Sequence, residues 1–121
     1  MLQLVLAAEP DMRWVGTLAA ADELVAEVRR HTLMDAPLVV LLDATMPGKN
    51  AIDALREVCE LFPPVQTILY SGHDDQAFIE RAMDAGAWGC ISKDEPPPEI
   101  VRAIREVAAG RVWWPGLRPT R

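Results

Sequence analysis

Residues 38–42, LVVLL, are five apolar positions in a row that end in a single acidic residue, Asp43. A strand without polar alternation is buried on both faces, as the central strands of a helix-covered parallel sheet are. A second run of strand length, VQTILY at 65–70, leads into Ser71 and Gly72, and a third, AWGCIS at 87–92, leads into Lys93 and Asp94. Between these runs the apolar residues recur at helical spacing. Alternating strand and helix periods predict an α/β fold with one parallel sheet and flanking helices.

The helical stretches carry their own punctuation. Residues 21–34 predict a helix with Leu24, Val25 and Val28 inward, and Pro37 closes the loop after it. Asn50 is placed to cap the next helix, whose Ile52, Leu55, Val58, Cys59 and Phe62 form one stripe before Pro63 and Pro64 stop it. Asp74 or Asp75 starts a third helix with Phe78, Ile79, Ala82 and Met83 on one face and Gly86 as its C-terminal cap. Pro96, Pro97 and Pro98 lead into a fourth, with Ile100, Val101, Ile104 and Val107 inward and Gly110 at its end. At the other end, residues 12–18 (MRWVGTL) read as a short strand. Residues 1–8 carry Leu2, Val5 and Leu6 at helical spacing, yet hold enough β-capable residues to pair with 12–18 across Glu9-Pro10-Asp11. The tail at 110–121 has no regular period.

At 121 residues, half of them hydrophobic, residues 1–121 make one domain. A net charge of -6 argues against nucleic acid or an anionic membrane as a partner. The apolar runs fall far short of the roughly 20 residues that span a bilayer. Cys59 and Cys90 have no metal-ligand spacing and no secretory signal precedes them, so they read as free thiols of a cytoplasmic protein.

Three strands thus end in a polar functional group: Asp43, Ser71 and Lys93. In open parallel sheets ligands bind beyond the carboxyl ends of the strands, so the three side chains are expected to converge. A carboxylate, a hydroxyl and an ammonium suit a phosphoryl group, with Asp43 as nucleophile, Ser71 donating to a phosphoryl oxygen and Lys93 pairing with its charge. Trp113 and Trp114, followed by Pro115 and Gly116, are either an anchor for a partner or fold back onto the last helix.

At these residues the chain resembles the receiver domain of two-component response regulators, most of all receivers joined to a helix-turn-helix DNA-binding domain. EPDMRWVG is similar to the family's junction of first helix and second strand, VVLLDATMPG to its phosphorylation segment, SGHDD to its Ser/Thr loop and DAGAWGCISKD to its fifth strand with the invariant lysine. The resemblance implies a flavodoxin-like (CheY-like) sheet, a signalling module and not an enzyme, and phosphotransfer from a sensor histidine kinase onto Asp43. It also implies that Ser71, Lys93 and Ala44 contact the phosphoryl group, and that Mg2+ sits on Asp43 and the backbone carbonyl of Thr45. The last helix and the strand before it are the surface by which the family usually dimerises.

The departures are equally specific. Receivers begin with a strand ending in two adjacent acidic residues that share the magnesium ion, and no such strand or pair precedes Glu9. Magnesium binding is therefore expected to be impaired. Without that strand the sheet must rearrange, recruit residues 1–8 or be covered in a homodimer, unless the start site is truncated. Asp74 and Asp75 read as helix-capping residues and His73 as a loop residue. Position 90, usually an inward-swinging aromatic, is a cysteine. A DNA-binding domain after the last helix is not expected, and neither is direct DNA recognition. Two readings stand: a stand-alone receiver phosphorylated on Asp43, and a pseudo-receiver that acts as an interaction module without phosphorylation.

Overall fold

The computed structural model describes residues 23–31, 38–44, 50–72 and 76–114. In chain order they form α1 (Leu24–His31), β1 (Val39–Asp43), α2 (Ala51–Leu61), β2 (Gln66–Ser71), α3 (Gln76–Ala85), β3 (Gly89–Ser92) and α4 (Pro97–Ala108). The expected elements at 1–8 and 12–18, and with them the question of the family's first strand, lie outside these residues. So do Pro37, Thr45, Met46-Pro47-Gly48, His73, Asp74, Asp75 and residues 115–121.

The strands pair in parallel in the order β1-β2-β3, joined each time by a helix that returns the chain to the sheet's starting edge. Register sets the two faces. Leu41, Ile68 and Gly89 lie in one row, and Leu42, Leu69 and Cys90 in the next. Because side chains alternate along a strand, these rows face opposite ways. Ile68 and Ile91 pack with Ile100, Ala103 and Val107 of α4. Leu42, Leu69 and Cys90 pack with Leu24 and Val28 of α1, Leu55 and Val58 of α2 and Ile79 and Ala82 of α3. The sheet is thus sandwiched between α4 and the other three helices, and the strands' lack of polar alternation has its cause in this double coverage.

Helix ends follow the expected chemistry. Asn50 Oδ1 accepts the backbone N–H groups of Ile52 at 2.9 Å and Asp53 at 3.3 Å, satisfying donors that the first turn of α2 cannot. Gly86 and Gly110 both have positive φ, 103° and 95°, just past α3 and α4. Each closes its helix with the paired bonds of a Schellman turn: Gly86 N–H to Met83 O and Ala87 N–H to Ala82 O, then Gly110 N–H to Val107 O and Arg111 N–H to Glu106 O. Pro97 occupies the first turn of α4, where its missing N–H costs nothing.

Three details differ from the expected pattern. Met83 is exposed, and Ala85 is the residue buried with Phe78, Ile79 and Ala82 on the inward face of α3. Phe62 lies beyond the last turn of α2 as its C-cap, not within the helix. Residues 111–114 of the tail return to β3, as described below.

Both cysteines are free thiols, Cys90 buried and Cys59 partly so. Cys59 Sγ donates to Gly86 O at 3.5 Å and lies 3.8 Å from Thr67 Oγ1, joining the end of α2 to the turn after α3. A Cβ at Gly86 would meet Cys59 Sγ at 3.0 Å, so Gly86 serves both the left-handed backbone and this contact. Burial pushes the Cys59 thiol up, with the charge of Glu60 adding to it and the Thr67 hydroxyl partly opposing it.

Two outcomes follow. Leu55 is 0% exposed and Leu61 50% exposed on the same helix. In urea denaturation Leu55→Ala is expected to cost about 2–5 kcal/mol, whereas Leu61→Ala stays within about 0.5 kcal/mol. Cys59 holds its proton more tightly folded than unfolded, so its contribution is constant below the unfolded thiol's value, near ~8.5. Above it, stability falls as pH rises toward the folded value. Cys59→Ser is expected to flatten that alkaline limb, read as the denaturation midpoint from pH 7 to pH 10.

Candidate functional site

β1, β2 and β3 run the same way, so their carboxyl ends lie together and deliver Asp43, Ser71 and Lys93 to one edge of the sheet. The last register pair of β1 and β2 is Asp43 with Tyr70, and that of β2 and β3 is Ser71 with Ser92. Lys93 is tied down by its backbone, whose N–H donates to Ser71 O at 2.9 Å. The Ser92 hydroxyl accepts from Asp94 N–H at 3.1 Å and turns the chain away from the sheet.

From the end of β3 the Lys93 side chain crosses toward β1, with its ammonium 5.9 Å from the centre of the Tyr70 ring. It reaches the carboxylate of Asp43, with Nζ 2.9 Å from Oδ1. The two side chains are 33% and 38% exposed. A pair as solvated as this is worth about 0–1 kcal/mol to stability, so the sheet does not depend on it. What the pair does is hold a cation against a carboxylate at the mouth of the sheet. Ser71 is fully buried at the end of β2, between the strands that carry the other two.

Ala44 follows Asp43 at the same edge of the sheet. Its backbone N–H donates to Tyr70 O at 2.9 Å, continuing the ladder, so that amide is already engaged. Its side chain lines a cavity of about 290 Å3 together with Asn50, Asp53, Arg56, Phe78 and Arg81, between the starts of α2 and α3. Arg56 faces Asp53 at 3.5 Å, and Arg81 lies 5.7 Å from the Phe78 ring centre.

The described residues do not by themselves fit a magnesium ion. A hard divalent cation takes about six oxygen ligands. Among the described residues no three His, Cys, Asp or Glu side chains are grouped to hold a metal, and Asp43 Oδ1 already carries the Lys93 ammonium. The carbonyl of Thr45 lies outside the described residues.

Trp113 and Trp114 are turned into the domain, 2% and 5% exposed. Trp113 packs on the α4 side, where Arg102 stacks 5.6 Å from its ring centre, and Trp114 belongs to the core on the other side. Any partner contact through these rings first requires the tail to leave. Sequence reasoning missed the residue that receives the tail, Gly89, which forms a parallel bridge with Trp113. The signal was a glycine inside the strand-length run AWGCIS, where it marks a close backbone approach.

The comparisons bear on the family and the fold. The family described as "Response regulator receiver domain" matches residues 1–105. Response regulator UvrY of Escherichia coli strain K12 is 37% identical over 97 residues, covering 80% of this chain and 43% of that protein. Transcriptional regulatory protein DegU of Brevibacillus brevis is 28% identical over 106 residues, covering 88% of this chain and 43% of that protein. The chain therefore spans under half the length of these relatives. Among solved structures, the signal receiver domain of NarL from Mycobacterium tuberculosis superposes with a TM-score of 0.81 at 30% identity, covering 91% of this chain and 86% of that one. The isolated receiver domain of RcsB from Salmonella enterica serovar Typhimurium, at 20% identity, shares the fold with a TM-score of 0.80, over 94% of this chain and 82% of that one. With a family match across most of its length and an aspartate, a serine and a lysine at the ends of three parallel strands, this chain belongs to the receiver domains of two-component response regulators.

Proposed function

We propose that this domain is an atypical receiver in phosphorelay signalling that accepts a phosphoryl group on Asp43 from a sensor histidine kinase in the cytoplasm. The observation that carries this reading is the Lys93 ammonium held 2.9 Å from Asp43 Oδ1 at the carboxyl edge of the sheet. In the transfer, an Asp43 carboxylate oxygen forms a bond to phosphorus as the phosphorus–nitrogen bond of the phosphohistidine breaks, and the imidazole leaves with the electron pair. Lys93 then pairs with the charge on the phosphoryl oxygens, and Ser71 supplies a hydroxyl donor. The Ala44 methyl lines the approach. Magnesium assistance is impaired in this reading, because the described residues supply only Asp43 toward it.

A homodimer belongs to the same reading. Val39, Val40 and Leu41 of β1 are only half-buried while β2 is buried almost throughout, which leaves apolar surface for a second copy. The second reading, a pseudo-receiver that binds its partner without phosphorylation, is favoured by the lack of a metal-ligand group among the described residues.

Intact-protein mass after incubation with a small-molecule phosphodonor, with and without magnesium, separates the two. One added phosphoryl group is expected on the wild type and none on Asp43→Ala, with Lys93→Ala slowing uptake by about 100-fold. An unchanged wild-type mass in every condition overturns phosphotransfer and leaves the interaction module, whose dimer Asp43→Ala then retains.

A further inference from the structure

The family match ends at residue 105, yet the chain beyond it is built into the sheet. After α4 the Gly110 turn reverses the chain, and segment 111–114 runs alongside β3, parallel to it, on the side away from β2. Two backbone bonds seat it: Trp113 N–H to Trp88 O at 3.0 Å, and Cys90 N–H to Trp113 O at 2.9 Å. The pairing puts Trp113 in the row of Gly89 and Ile68, and Trp114 next to Cys90 and Leu69 in the following row. Consecutive residues of an extended segment face opposite ways, so one ring closes the α4 side of the core and the other closes the opposite side.

The seat is cut for this segment. A Cβ at Gly89 would lie 2.5 Å from the carbonyl oxygen of Trp113, a contact that side chains do not make. Glu106, in the last turn of α4, pairs with Arg111 and fixes where the segment starts. Position 90 offers only a small side chain on the face that receives Trp114.

The same strand carries the site. β3 has four residues, Gly89–Ser92. The segment grips it at Cys90, and Lys93, one residue past its end, holds Asp43. A strand this short cannot shift at one end and stay fixed at the other. We propose that segment 111–114 is a latch, a displaceable edge strand whose seating on β3 is coupled to the Asp43–Lys93 pair. Its two states are seated, with both tryptophans buried, and released, with the outer edge of β3 open. A change at Asp43 that moves Lys93 shifts the balance between them, and by reciprocity release of the latch loosens the pair. The coupling needs the ion pair only, so it stands or falls separately from phosphotransfer.

Amide hydrogen exchange on the full chain tests it, with the β2 amides of Ile68 and Leu69 as the control for global folding. Gly89→Ala is expected to lower protection of the Cys90 and Trp113 amides at least tenfold while the β2 amides stay protected. If Gly89→Ala unfolds the chain, Trp114→Ala serves in its place. Asp43→Asn and Lys93→Ala, which break the pair without touching the latch, are expected to change protection of the same two amides by about fivefold. Protection unchanged in both pair variants, with Gly89→Ala still loosening the segment, overturns the coupling and leaves a purely structural edge cover. Protection of Cys90 and Trp113 that is unaffected by both Gly89→Ala and Trp114→Ala overturns the seating itself.

Discussion

Strand β2 is hydrogen-bonded on both sides and buried on both faces, and every other described element is located by reference to it. Its pairing with β1 and β3 fixes the register of both, and that register assigns each side chain to the α4 face or to the face of the other three helices. A one-residue slip would exchange Leu69 with Ile68 and turn the core inside out. Parallel pairing has a further effect that antiparallel pairing lacks: all three strands finish at the same edge. The convergence of Asp43, Ser71 and Lys93 is therefore a by-product of direction and register. It needs no stabilisation of its own from the solvent-exposed ion pair.

Much of this was legible in the sequence because burial on both sides leaves a strong mark. The apolar runs at 38–42 and 65–70 and the helical stripes through Leu55, Ile79 and Ile100 correspond to β1, β2, α2, α3 and α4. Asn50, Gly86, Pro97 and Gly110 mark helix ends for local reasons that hold in any fold. Less legible were features that depend on which neighbour arrives. Met83 looks like a core residue from periodicity alone, yet the inward face of α3 is made by Phe78, Ile79, Ala82 and Ala85. Trp113 and Trp114 read either as an anchor for a partner or as folding back onto the last helix, and residue type alone does not show that the two rings are buried on opposite sides of the sheet.

The site was legible in part. The three strand-end groups were identified from residue type and position, and two of them, Asp43 and Lys93, meet directly. The backbone bond from the Ala44 N–H to Tyr70 O was not, because backbone groups carry no sequence signature. Position 90 shows the same limit from the other side. A cysteine there reads as the loss of an aromatic, but the structure puts Trp114 beside it from outside the family's usual span.

The two tryptophans that close the open side of β3 stand later in the chain than every strand and helix they cover. During synthesis, which proceeds from the N-terminus, β3 and α4 are complete before residues 113 and 114 are added. For that interval the newest strand presents a bare edge and two uncapped apolar cores, so the nascent domain is most exposed to mispairing just before Trp113 and Trp114 emerge.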